Sequence, residues 1–77
     1  MTDVVKSNRH YGVTPKQLHL KNTVEIFIKE HKYSPTISEL AELTKSHKSV
    51  IHGILERLKR KGHIDWVPNS VRSITIL

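Results

Sequence analysis

A mainly helical fold, three helices closed by a C-terminal β-hairpin, is predicted by three features of the sequence. Apolar residues recur at helical spacing in three stretches before residue 62. Two of those stretches open on capping boxes, "TPKQ" and "TISE". After Gly62 the apolar period changes from helical to two, in "HIDWV" and "RSITIL".

The elements follow in order. Residues 1–12 show no periodicity and read as a flexible, mildly basic arm, so the folded domain is expected over 13–77. Thr14 can cap, Pro15 suits a first helical turn and Gln17 completes the box. Leu20, Val24, Phe27, Ile28 and His31 then carry the first helix over 15–31. Pro35 disfavours helical geometry at Ser34 and ends it. Thr36 and Glu39 open a short second helix that is expected to turn Leu40, Ala41 and Leu43 inward. Ser46 is the expected cap of the third helix, which runs to Lys61 before Gly62 supplies a left-handed stop. In the hairpin over 63–77, Ile64, Trp66, Ile74 and Ile76 alternate around the turn residues "PNS". Three helices and a hairpin in this order describe a winged helix-turn-helix.

The chain has 77 residues, near the lower limit for a core that stands without staples, and no cysteine to supply one. It contains no apolar run approaching the roughly 18 residues of a membrane span and no signal-peptide core, so a soluble, cytoplasmic protein is expected. The net charge of +6 is unevenly placed. Residues 1–44 hold six Lys/Arg against five Asp/Glu, whereas residues 45–62 hold six against Glu56 alone. An excess gathered on one helix suits a polyanion; the plainer alternative is a solvated basic surface.

Within "SHKSVIHGILERLKRKG", residues 46–62, Leu55 and Leu58 lie within about 40° of Ile51 on a helical wheel and form the buried stripe. The opposite side carries Ser46, Ser49, Gly53, Arg57 and Arg60, with Val50 and Ile54 on one flank and His52 and Lys59 on the other. A helix in the major groove needs this mixture: hydroxyls and guanidinium groups for base edges and phosphates, methyls for thymine, and a small residue for close approach. Gly53 costs a helix about 1 kcal/mol relative to alanine. Two readings explain it: approach of DNA, or close packing of another backbone inside the protein. Trp66 likewise has two: closure of the small core, or an exposed aromatic at the base of the wing.

From Val13 to Leu77 the chain resembles the DNA-binding domain of LexA repressors, particularly their Gram-positive branch. The matching motifs are "TPKQ", "SPTISELAE", "SVIHGILERLKRKGHI" and "PNSVRSITIL", in that order. The resemblance implies operator binding, with the third helix in the major groove and the wing on the DNA backbone. It places base reading at Ser49, Val50, Gly53, Ile54 and Arg57. Backbone contacts are expected from Ser46, His47, Lys48, His52, Lys59, Arg60 and Lys61, and from Asn69, Ser70 and Arg72 in the wing. His52 and Gly53 reproduce the family's His-Gly pair. Ile54 stands where Gram-positive relatives usually have a polar residue, and Lys45 where a glycine is common; the turn "LTKSHK" is one residue shorter than the usual pattern. These departures bear on which operator is read more than on the act of binding. The 77 residues do not include the family's Ser-Lys self-cleavage dyad or its dimerisation domain. If the protein naturally ends here, it is expected to dimerise by another surface, bind as a monomer, or associate with another regulator; if the sequence is a piece of a longer protein, the absence means nothing.

Other chemistry finds little support. None of the histidines at 10, 19, 31, 47, 52 and 63 is paired at i, i+3 or i+4, and His47 and His52 lie about 140° apart on the wheel, so no metal site is expected. There is no glycine-rich phosphate loop, nucleophile elbow or carboxylate pair in an apolar setting. No enzyme activity, cofactor, membrane contact or small-molecule ligand is expected. The sequence therefore predicts a bacterial or phage transcriptional regulator, a repressor that binds double-stranded DNA. The alternative is a winged-helix interaction module that docks on another regulator or on the transcription machinery.

Overall fold

The computed structural model describes residues 12–77; the expected arm lies outside them, apart from Gly12. The elements are α1 (Pro15–His31), α2 (Ile37–Thr44), α3 (Lys48–Arg60), β1 (Ile64–Asp65) and β2 (Thr75–Ile76). The strands pair antiparallel, Ile64 opposite Ile76 and Asp65 opposite Thr75. This is a winged helix-turn-helix. No described helix is long and apolar enough to cross a membrane.

Both capping boxes form. The Gln17 N–H donates to Thr14 Oγ1 at 3.2 Å, and the Thr14 N–H to Gln17 Oε1 at 3.3 Å. At α2 the Glu39 N–H donates to Thr36 Oγ1 at 3.0 Å, and the Thr36 N–H to Glu39 Oε1 at 2.9 Å. Each box satisfies donors that a helix start otherwise leaves open. The ends are equally local. Gly62 has φ +82°, and its N–H reaches Lys59 O while His63 N–H reaches Leu58 O, both at 3.0 Å. These are the two bonds of a Schellman stop. The same pair closes α2, from Lys45 N–H to Glu42 O and from Ser46 N–H to Ala41 O. There the left-handed residue is Lys45, at φ 56°, so a lysine occupies a conformation that glycine adopts without steric cost.

Two expectations are corrected here. Ser46 does not cap α3: its N–H is used in closing α2, and its hydroxyl turns back to Thr44 O. The cap position falls to His47, which is extended and makes no side-chain cap bond. Leu43 does not face inward but is 57% exposed. The buried side of α2 is centred between Ile37, Leu40 and Ala41, and on an ideal helix Leu43 lies about 110° from that centre.

The core is one cluster: Leu20 and Val24 of α1, Leu40 of α2, Ile51, Leu55 and Leu58 of α3, then Ile64, Trp66 and Ile74. Trp66 is 2% exposed, which decides for the core reading of that residue. The wing between the strands is tied by Ser73, whose Oγ accepts the Val67 N–H at 3.1 Å and lies within donating distance of Val67 O and Ser70 O.

Candidate nucleic-acid interface

Burial of Ile51, Leu55 and Leu58 turns the other side of α3 outward, and 3.6-residue periodicity then sets the face. Ser49, Gly53, Arg57 and Arg60 fall within an arc of about 80° on it. Ser49, Arg57 and Arg60 are exposed, and Val50 beside them is 41% exposed. Among the described residues the side chains of Arg57 and Arg60 make no hydrogen bond or ion pair. Ile54 is half-buried and packs partly on the core, so only its outer edge reaches this face.

Gly53 does not pack against another element. Among the described residues, and apart from the helix's own nearby backbone, a Cβ there would meet within 4 Å only the Nη1 of Arg57, at 3.2 Å. The close-packing reading therefore fails. The missing side chain leaves a shallow trough on the helix, along which the Arg57 guanidinium lies.

Two grooves flank this face. One is lined by Thr14, Lys16 and Gln17 of the α1 start together with Ser49, Val50, Gly53, Ile54 and Arg57. The Lys16 side chain is exposed there without a hydrogen bond or ion pair among the described residues, and sequence reasoning missed it. A signal was present: a lysine in the first turn opposes the helix dipole, which favours acids at that end. The second groove lies between the first turn of α2 (Thr36, Ile37, Ser38) and the wing (Asn69 to Ile74). Lys48, Ser49, His52 and Trp66 also line it. This groove gathers five of the expected backbone residues, Lys48, His52, Asn69, Ser70 and Arg72. The His52 ring meets Trp66 edge-on at 4.9 Å, and its Nδ1 is 3.9 Å from Glu56 Oε1, too far for a hydrogen bond.

Three expected phosphate ligands are turned back into the protein. The Lys59 ammonium donates to Trp66 O at 2.6 Å, joining α3 to the wing base. The Lys61 ammonium donates to Gln17 Oε1 at 3.0 Å and to Gly12 O, tying the end of α3 to the start of α1. Arg72 forms a fork with Glu39, Nη1 to Oε1 at 3.0 Å and Nη2 to Oε2 at 3.1 Å; Nη1 also donates to Ser34 O at 2.8 Å. The Arg72 guanidinium, then the Thr36 N–H, hold the Glu39 carboxyl below the usual carboxylate range. The pair's contribution to stability is thus complete above that range and is lost as pH falls through the lowered value.

Among the described residues no group of three His, Cys, Asp or Glu is placed to hold a metal ion. What the surface offers is a basic helix face with small and apolar residues at its centre and a groove on either side, a shape and charge that suit a duplex.

Comparison with known proteins agrees. The family model of the LexA DNA-binding domain matches residues 10–73. A LexA repressor of Caldicellulosiruptor saccharolyticus is 36% identical over 66 residues, which cover 84% of this chain and 33% of that protein. LexA repressors of Pelotomaculum thermopropionicum and Bacillus mycoides are each 30% identical over 66 residues, covering 84% of this chain and 32% of theirs. The chain thus spans about a third of the length of the curated relatives it matches.

Proposed function

Because the chain belongs to the LexA DNA-binding domain family, we propose that it binds double-stranded DNA in a sequence-dependent way as a transcriptional regulator, a repressor of LexA-like operators in the cytoplasm of a bacterium. The carrying observation is the outward face of α3, where Ser49, Gly53, Arg57 and Arg60 lie together and neither arginine is engaged by the described residues. In this reading α3 enters the major groove. Ser49, Val50, Arg57 and the outer edge of Ile54 meet base edges, and Gly53 lets the helix seat deeply. Phosphates on the two sides meet Lys16, and Lys48 with Asn69 and Ser70. His47, His52, Arg60 and the partly exposed Ser46 border these contacts. Lys59 and Lys61 add positive potential while their ammonium groups hold the fold. The protein associates with a second copy or with another regulator if it reads a two-part operator.

The ionic-strength dependence of binding tests this. Three or four phosphate contacts should give a log–log slope of affinity against salt of about −3, at roughly −0.9 for each phosphate. A gel-shift titration on mixed-sequence duplex at several salt concentrations reads the slope. A flat dependence, or no retention at low salt, would remove the proposal.

A further inference from the structure

We infer that the Arg72–Glu39 pair is a clamp that fixes the wing against the first turn of α2 and so sets the groove a DNA backbone must enter. The inference rests on the DNA-binding reading above and changes the role of one residue, from the expected phosphate ligand to a positioning residue.

The hairpin needs such a tether. Its ladder has only two residue pairs; Trp66 and Ile74 beyond it are buried in the core, and the segment between them, 67–73, projects from that base. Two residue pairs give a hairpin little stability of its own, so the angle of the exposed segment depends on contacts outside the ladder. Arg72 attaches the exposed segment itself, with parts from three neighbours. Its guanidinium forks onto Glu39, donates to Ser34 O, and lies 4.4 Å from the Tyr33 ring centroid. Two residues on, the Ile74 N–H donates to Ser34 Oγ at 3.0 Å. Glu39 is itself fixed, since Oε1 also accepts the capping Thr36 N–H. Arg72 sits at φ 56°, so the chain adopts a left-handed conformation at the residue that makes these contacts. The clamp joins the two walls of the groove whose lining includes Lys48, Ser49 and His52.

The clamp and the phosphate-ligand readings differ in sign at Glu39. Glu39→Gln keeps a side chain that completes the capping box, breaks the fork and raises the net charge from +6 to +7. Were Arg72 a phosphate ligand, removing this carboxylate would free it and bind a polyanion as well or better. The clamp requires the opposite, a loss in a variant from which no cation has been deleted. The test is equilibrium binding to a mixed-sequence duplex at low salt, per folded protein, for wild type, Glu39→Gln, Arg72→Gln and the double variant. Glu39→Gln should weaken binding about fivefold, the scale of an exposed ion pair. The double variant should be no weaker than the weaker single one. Arg72→Lys, which keeps the charge and loses the fork, should resemble Arg72→Gln. Wild-type or higher affinity for Glu39→Gln, or wild-type affinity for Arg72→Lys, overturns the clamp while the DNA reading stands. Absence of binding by the wild type removes both.

Discussion

Gly53→Leu is expected to lose at least about a hundredfold in affinity for duplex DNA while its melting temperature stays level or rises. Leucine is the better helix former by about 0.8 kcal/mol, so an outward site should gain helical stability. Among the described residues the only obstacle within 4 Å of a new Cβ, the helix's own nearby backbone aside, is the end of the Arg57 side chain, which can swing aside. Against DNA the same group is a branched obstruction at the centre of the recognition face, and it displaces a guanidinium assigned to base edges. Gly53→Ala separates the effects. It should raise the melting temperature and lose much less affinity. The measurements are a thermal melt by circular dichroism and a binding isotherm per folded protein. A lowered melting temperature with affinity retained would return Gly53 to the protein's own packing.

Trp66→Ala is expected to cost about 3–5 kcal/mol, the range for emptying a large buried aromatic site. A domain of this size has only about that much stability in total, so the variant should be largely unfolded at 25 °C. The residue is 2% exposed, meets His52 edge-on, and its carbonyl holds the Lys59 ammonium. The truncation removes the core packing and the contact with His52, while the backbone carbonyl that accepts from Lys59 remains. Trp66→Phe should remain folded with a lowered melting temperature. A folded Trp66→Ala protein with an unchanged melt and reduced DNA affinity would indicate an exposed wing aromatic instead.

What the sequence reveals here depends on the distance over which each feature is set. Both capping boxes, the stop at Gly62 and the stripe of Ile51, Leu55 and Leu58 involve residues within a few positions of one another, so all are legible without the fold. The cap of α3 is less so: Ser46 has the right side chain, but the preceding turn uses its N–H. Leu43 has helical spacing from Leu40, yet the buried centre of an eight-residue helix depends on where its neighbours stand. The cations are the least legible. Lys59, Lys61 and Arg72 look the same in sequence as Lys48, Arg57 and Arg60. Only the fold brings Trp66 O, Gln17 and Glu39 within their reach, separating the cations that hold the protein from those open to a partner. Lys16 is the converse, a cation hidden in a capping motif that already explained its neighbours.

The central claim, that the outward face of α3 with its two flanking grooves receives duplex DNA, is tested most directly by mapping backbone amide shifts during titration with a mixed-sequence duplex at low salt. The expected result is perturbation centred on Lys48, Ser49, Gly53 and Arg57, extending to Lys16 and to Asn69–Ser70, and fading as salt is raised. Ile26 and Leu43, 56% and 57% exposed on another part of the surface, should remain unmoved. Shifts confined to Ile26, Phe27 and Leu43, or no shifts at any salt concentration, would contradict it.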